Sequence, residues 1–356
     1  MIAWFRYICL IVSLIITLPE LLSAQRLVSQ RQEDVEAGLL YNESVYILSN
    51  YSCLSSNSPE KLSLDELLRK QIEGFYFYLK RDTETNVLLL RKPDGTFTPF
   101  SESLEAIKTA LDADSTKVMT LFLDFYVEME LESSFKEIGL MEYVLEYDTK
   151  NGWPSLKDML SSGKRLVVFE VQKHLNSPSW LHNMRDFVEH TDADWGNQPE
   201  GVESFDERLK KNLSLFTGYK FLETSRGNSN DISALARQTP YLIESFKRAW
   251  IRDGRVPNFV LVDKYYAWLD VSLVTFRNFD IIYGAVTNNN ELLNYVNWDG
   301  MSNYTTGKYC FPLEPGAELM LSPISPGYRI EPATVYISGT QRKAFASDFK
   351  ARPLRI

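Results

Sequence analysis

Short apolar, β-rich runs separated by helix-length connections constrain this chain most. Arg165–Val171 (RLVVFEV) and Asn258–Val262 (NFVLV) are almost continuously apolar, as expected of strands covered on both faces in a parallel sheet. Ser44–Ser49, Gly74–Lys80, Val87–Arg91 and Val118–Tyr126 also read as strands. Between them, Leu64–Gln71, Ser101–Leu111, Ser133–Ile138, Trp153–Leu160 and Ile232–Arg252 have helical spacing. Ser101 opens one of these helices, and Gly163 and Gly254 stop two others. Strands alternating with helices imply a parallel sheet, and 356 residues suit one closed (β/α) barrel of the TIM type better than two small domains.

The character changes from about Asn289. Five prolines precede Thr334 and are followed by the strand-like Thr334–Ser338, so a small β-rich appendage is expected at 303–356. The barrel then spans 25–302. Residues 1–24 read as a secretory signal peptide: Arg6 is the positive n-region, Tyr7–Leu18 the apolar core and Leu22-Ser23-Ala24 the cleavage site. Pro19 and Glu20 interrupt the apolar run short of the roughly 20 residues a membrane span needs. A secreted, extracellular or periplasmic chain without a transmembrane span in its mature form is expected. The net charge of −9 and the lack of a basic run disfavour nucleic acid as a partner.

Three stretches together resemble the phosphatidylinositol-specific phospholipase C X-domain family. They are Val118–Val127 (VMTLFLDFYV), Asn151–Glu170 (NGWPSLKDMLSSGKRLVVFE) and Arg255–Tyr266 (RVPNFVLVDKYY). The middle one is the most specific. The resemblance implies a phosphoric diester hydrolase barrel that uses two histidines, an acid and an arginine at the strand ends. It also implies a phosphoinositide-like or sugar phosphate ligand and a role in lipid metabolism.

The catalytic motifs are degenerate on that alignment. Tyr51 stands where the family's first histidine receives a proton, and Tyr76 and Tyr78 stand at the acid and arginine positions. Glu73 replaces a usual arginine, and Leu90-Arg91-Lys92 replaces the second histidine motif. A tyrosine near pKa 10 is a poor base beside a histidine near 6.5, and each acid–base group contributes about 10²–10⁴-fold. Asp124, Glu170 and Asp263 are pocket carboxylates at expected strand ends, the face on which barrels build sites. Structural capping is the alternative for each. Because alternate strand residues face opposite sides, Tyr76 and Tyr78 should enter the interior together and plug it, or stack on a ring ligand.

The chain contains three histidines, His174, His182 and His190. A metal site would recruit Asp186, Asp192 or Asp194, but the spacing matches no zinc pattern and exposed loop positions are expected. No cofactor is expected; a divalent metal such as calcium is the alternative. Once the signal is removed, Cys53 and Cys310 are the remaining cysteines. Each follows a barrel segment expected to lie beside the other, so they are expected to form one disulfide. The leading expectation is a pseudoenzyme acting as a binding or structural protein. The alternative is an active phosphodiesterase with displaced or metal-assisted residues. A barrel carbohydrate hydrolase stands third, without a motif.

Overall fold

The computed structural model describes residues 31–49, 51–53, 63–69, 72–126, 131–192, 215–219, 258–262, 279–299, 304–305, 307–314, 316–338, 343–346 and 348–354. The signal segment and the helix expected at 232–252 lie outside these residues.

The apolar runs form the strands β1 (Tyr46–Ser49), β2 (Gly74–Arg81), β3 (Leu88–Arg91), β4 (Phe97–Pro99), β5 (Met119–Asp124), β6 (Leu166–Glu170), β7 (Leu181–Asn183), β8 (Val188–Asp192), β9 (Leu215–Tyr219) and β10 (Phe259–Val262). Eight of them order as β7-β6-β5-β2-β1-β10-β9-β8, and every neighbouring pair is parallel. Strands β3 and β4 extend β2 as an antiparallel hairpin off this path.

That order is cyclic, and the first and last strands, β1 and β10, are paired. The expected closed barrel is nevertheless corrected at one seam, because no ladder joins β7 to β8 among the described residues. The linker explains the gap. Only a four-residue helix, Met184–Phe187, separates the two strands. A parallel pair needs a crossover of a dozen or more residues to bring the second strand back beside the first.

Helices α1 (Leu64–Arg69), α2 (Phe100–Ala113), α3 (Leu131–Ile138) and α4 (Leu156–Ser162) connect the strands. The α4 ends follow local chemistry. Ser155 Oγ accepts the Asp158 amide at 3.1 Å, and Gly163 stops the helix at φ 73°. Gly74 at the start of β2 is sterically required. A Cβ there would lie 2.1 Å from the Thr120 carbonyl oxygen and 2.4 Å from Leu48 Cδ2.

Alternation along the strands divides two packed faces. On one, Phe122 stacks on Phe169 at 5.1 Å and meets Phe259 edge-on at 5.2 Å. Trp153 and His182 join Phe169 there, and Tyr41 reaches in to bond Thr120 Oγ1 at 2.7 Å. On the other, Phe75 and Phe77 stack at 5.3 Å, and Phe77 packs on Phe100 of α2. The first set fills the space enclosed by the curled sheet; the second seals it to the helices. Each aromatic pair adds about 0.5–1.5 kcal/mol beyond burial. Beside the β2 start, buried Arg31 pairs with Asp34 and Glu73, with its guanidinium 4.9 Å from the Tyr46 ring.

A second core begins at β11 (Asp280–Asn288), which pairs antiparallel with Lys308–Leu313 and parallel with Lys343–Phe345. This ladder crosses the 302/303 division read from sequence. Ile281 and Cys310 face the first core, whereas Ile282, Tyr309 and Phe311 pack with Trp298 and Phe349 in the second. A 2.6 Å ion pair between Lys343 and Glu43 also joins the β-rich part to the first unit.

Candidate functional site

The mouth of the sheet is set by the carboxyl ends of β2 and β5. Their register pairs Tyr76 with Phe122 and Tyr78 with Asp124, so Tyr76, Tyr78 and Asp124 share the enclosed face. The Tyr76 hydroxyl donates to Asp124 Oδ2 at 2.8 Å. Asp124 Oδ1 is buried and has no hydrogen-bond partner among the described residues. The Tyr78 ring lies 6.2 Å from Tyr126, whose side chain is exposed at the rim. The two tyrosines therefore do different things: Tyr76 holds a carboxylate, and Tyr78 forms part of an aromatic edge.

Tyr51 lies elsewhere. It meets Phe75 and Phe77 edge-on, at 6.4 and 5.8 Å, on the helix-facing side of β2. Burial pushes its phenol pKa up, with the nearby charges of Asp94 and Asp65 adding to the shift. Ser52 Oγ ties the same turn down, accepting the Tyr78 amide at 2.7 Å and donating to the Arg91 carbonyl at 3.1 Å. The Arg91 side chain is exposed. The geometry brings together Tyr76, Tyr78 and Asp124 but not Tyr51 or Arg91. Asp263 lies outside the described residues.

Glu170 is almost fully buried and is on the other face. It pairs in register with Leu123, whereas its neighbour Phe169 pairs with Phe122. Three side chains donate to its carboxylate: His174 Nδ1 at 3.0 Å, Ser177 Oγ at 2.6 Å and Asn183 Nδ2 at 3.2 Å. The His174 ring stacks on Phe125 at 4.4 Å, nearly parallel. Sequence reasoning placed His174 on an exposed loop and missed this arrangement. The spacing of Glu170 and His174 by four was the available signal, visible once Glu170 was set at a strand end.

The other histidines divide as follows. His182 is buried on the enclosed face, with Nε2 3.1 Å from the Leu145 carbonyl oxygen. Burial lowers its pKa, against the opposing pull of the Leu145 carbonyl and Glu146. The His190 side chain and Asp194 lie outside the described residues, while Asp186 pairs with Lys173 at 3.5 Å. Among the described residues no group of three or more His, Cys, Asp or Glu is placed to hold a metal ion. Nor is any helix there long and apolar enough to cross a membrane. Cys310 is buried; the side chain of Cys53 lies outside the described residues.

Known proteins provide a comparison for this geometry. No curated protein matches the chain. The fold is similar to the phosphatidylinositol-specific phospholipase C of Listeria monocytogenes, at 13% identity over 67% of this chain and 99% of that one, with a TM-score of 0.40. It is also similar to a double mutant of the Staphylococcus aureus enzyme of the same name, at 14% identity over 69% and 96% of the two chains, with a TM-score of 0.42. Residues 90–199 match the PI-PLC X 1 family model. That segment holds β5, β6 and the Gly-Trp-Pro stretch before α4, so the similarity to the PI-PLC X family lies in this part of the chain.

Proposed function

We propose that this chain is a secreted phospholipase C-like barrel that binds a polyhydroxylated, phosphoinositide-like ligand at the mouth without cleaving it. One observation carries this reading. Asp124 presents a buried oxygen with no donor among the described residues, while its other oxygen is fixed by Tyr76. A ligand hydroxyl would satisfy that oxygen, and leaving such an acceptor unmet costs about 1–3 kcal/mol. Tyr78 and Tyr126 supply an aromatic edge for the face of a sugar or inositol ring.

The absence of turnover rests on Tyr51. Its ring is packed against Phe75 and Phe77 on the far side of β2 and its phenol is harder to ionise than usual. A proton acceptor must come within hydrogen-bond reach of the attacking hydroxyl. Removal of residues 1–24 and export of the remainder belong to the same proposal, as does a Cys53–Cys310 disulfide.

Titration with myo-inositol, followed by tyrosine fluorescence, tests the binding part. Saturable quenching that Asp124→Asn weakens by about tenfold or more supports the reading, since a bond to a charged acceptor is worth about 1.5–3 kcal/mol. Quenching equal in the wild type and Asp124→Asn would place the ligand elsewhere.

A further inference from the structure

A cavity of about 650 Å³ lies outside the enclosed face, between the end of β2, the start of α3 and the loop after β6. Phe125, Leu131 and Leu181 give it an apolar floor, and Arg81, Lys136 and His174 reach its wall. Strand alternation separates it from the mouth. His174 hangs on Glu170, which lies on the Leu123 face, whereas Asp124 lies on the Phe122 face.

The polar groups on this wall are arranged as if a ligand were to complete them. Arg81 donates through Nη1 to Asn86 Oδ1 at 3.1 Å, yet its Nε is buried without a partner among the described residues. An orphaned guanidinium donor is costly and calls for an acceptor. Lys136 pairs with Glu132 one turn away on α3, and both are well exposed. Such a pair holds weakly, so Lys136 is free to turn to a stronger anion. Glu132 also lines the cavity and opposes an anion, which makes the two cations necessary together.

His174 decides which anion. Glu170 accepts from its Nδ1, which fixes the tautomer and the ring plane, and Phe125 clamps the ring from one side. Nε2, on the opposite edge, is then an acceptor when the ring is neutral and a donor when it is charged. A diester or sulfate only accepts. A phosphate monoester, with a second pKa of about 6, both accepts and carries a proton near neutrality, so it matches Nε2 in either state.

We propose that this cleft is a binding site for a phosphate monoester, held by Arg81 and Lys136 and hydrogen-bonded to His174 Nε2, with its organic part against Phe125, Leu131 and Leu181. The site is separate from the mouth and does not rest on the reading given for it. The monoester can be a free phosphate ester or a lipid headgroup of the phosphatidic acid type.

Imidazole proton NMR of the mature protein tests the proposal. The chain has three histidines, and a His174→Gln variant assigns the His174 signal by its loss. Glycerol 2-phosphate should shift that signal saturably and leave the buried His182 signal in place. Arg81→Gln and Lys136→Gln should each weaken the response by about tenfold, with circular dichroism confirming that both variants fold. A second arm measures sedimentation with phosphatidylcholine vesicles with and without phosphatidic acid. Binding that needs phosphatidic acid and is reversed by glycerol 2-phosphate assigns the lipid source; a response to the soluble ester alone assigns the free one. A His174 signal that ignores glycerol 2-phosphate, or a shift undiminished in both Arg81→Gln and Lys136→Gln, overturns the proposal.

Discussion

The Tyr76 hydroxyl donates a 2.8 Å hydrogen bond to Asp124 across the β2–β5 ladder. A tyrosine thus occupies the mouth as the partner of a strand-end carboxylate. Tyr76→Phe removes a donor to a partly buried anion. The expected cost is about 1.5–2 kcal/mol, the lower part of the range for bonds to charged groups, because water reaches part of the site. Urea unfolding measures it. An unchanged midpoint would mean that water replaces the hydroxyl in full.

Arg31→Met should be far more damaging. The guanidinium and the Glu73 carboxylate are both buried, and Glu73 Oε2 also accepts the Ile47 amide at 3.2 Å. Removing one partner of a buried pair costs about 3–5 kcal/mol, whereas an apolar replacement of both is often near neutral. Thermal melts should show the single variant strongly destabilised and Arg31→Met/Glu73→Leu partly recovered. Equal melts for the two variants would contradict the pairing.

His182 gives a pH dependence whose sign follows from its burial. Its pKa is lowered in the folded chain by desolvation, so the unfolded state binds the proton more readily. Stability is fully present above the unfolded value of about 6.5 and is lost as pH falls below it toward the folded value. Denaturant midpoints at pH 7.5 and 5.5 should therefore differ more in the wild type than in His182→Gln. Matching differences would remove His182 as the cause.

Cys310 is buried on the first-core side of its strand, while Tyr309 and Phe311 join the second core. The proposed partner, Cys53, follows β1 in the first unit. Non-reducing peptide mapping of the mature protein should recover a Cys53–Cys310 peptide. Full alkylation of both thiols in unreduced, denatured protein would sink the pairing.

How much of this was legible depends on what each residue's signal encodes. Leu166–Glu170 and Phe259–Val262 were visible because a strand buried on both faces has to be apolar throughout. Gly163 marked a helix end because only a left-handed residue fits there. The alternation of Phe75/Phe77 against Tyr76/Tyr78 followed from the pleat alone. Tyr51 was placed by alignment, but it follows β1 in a 3-10 turn, where strand alternation no longer dictates direction. The open seam depended on Met184–Phe187 being the whole link between β7 and β8, and nothing in an isolated HNMRDF run announces a strand on either side. The surroundings of Glu170 depended on register with β5, a long-range property that no local pattern carries.

In the proposed function the mouth binds without cleaving. The most direct test is release of inositol phosphate from phosphatidylinositol by the purified mature protein, with and without calcium. Release should stay at the level of a protein-free blank in both conditions, unchanged by Tyr51→His because that side chain faces Phe75 and Phe77. Robust release that survives Tyr51→Phe but collapses in Asp124→Asn would contradict that reading and establish an enzyme with a displaced site.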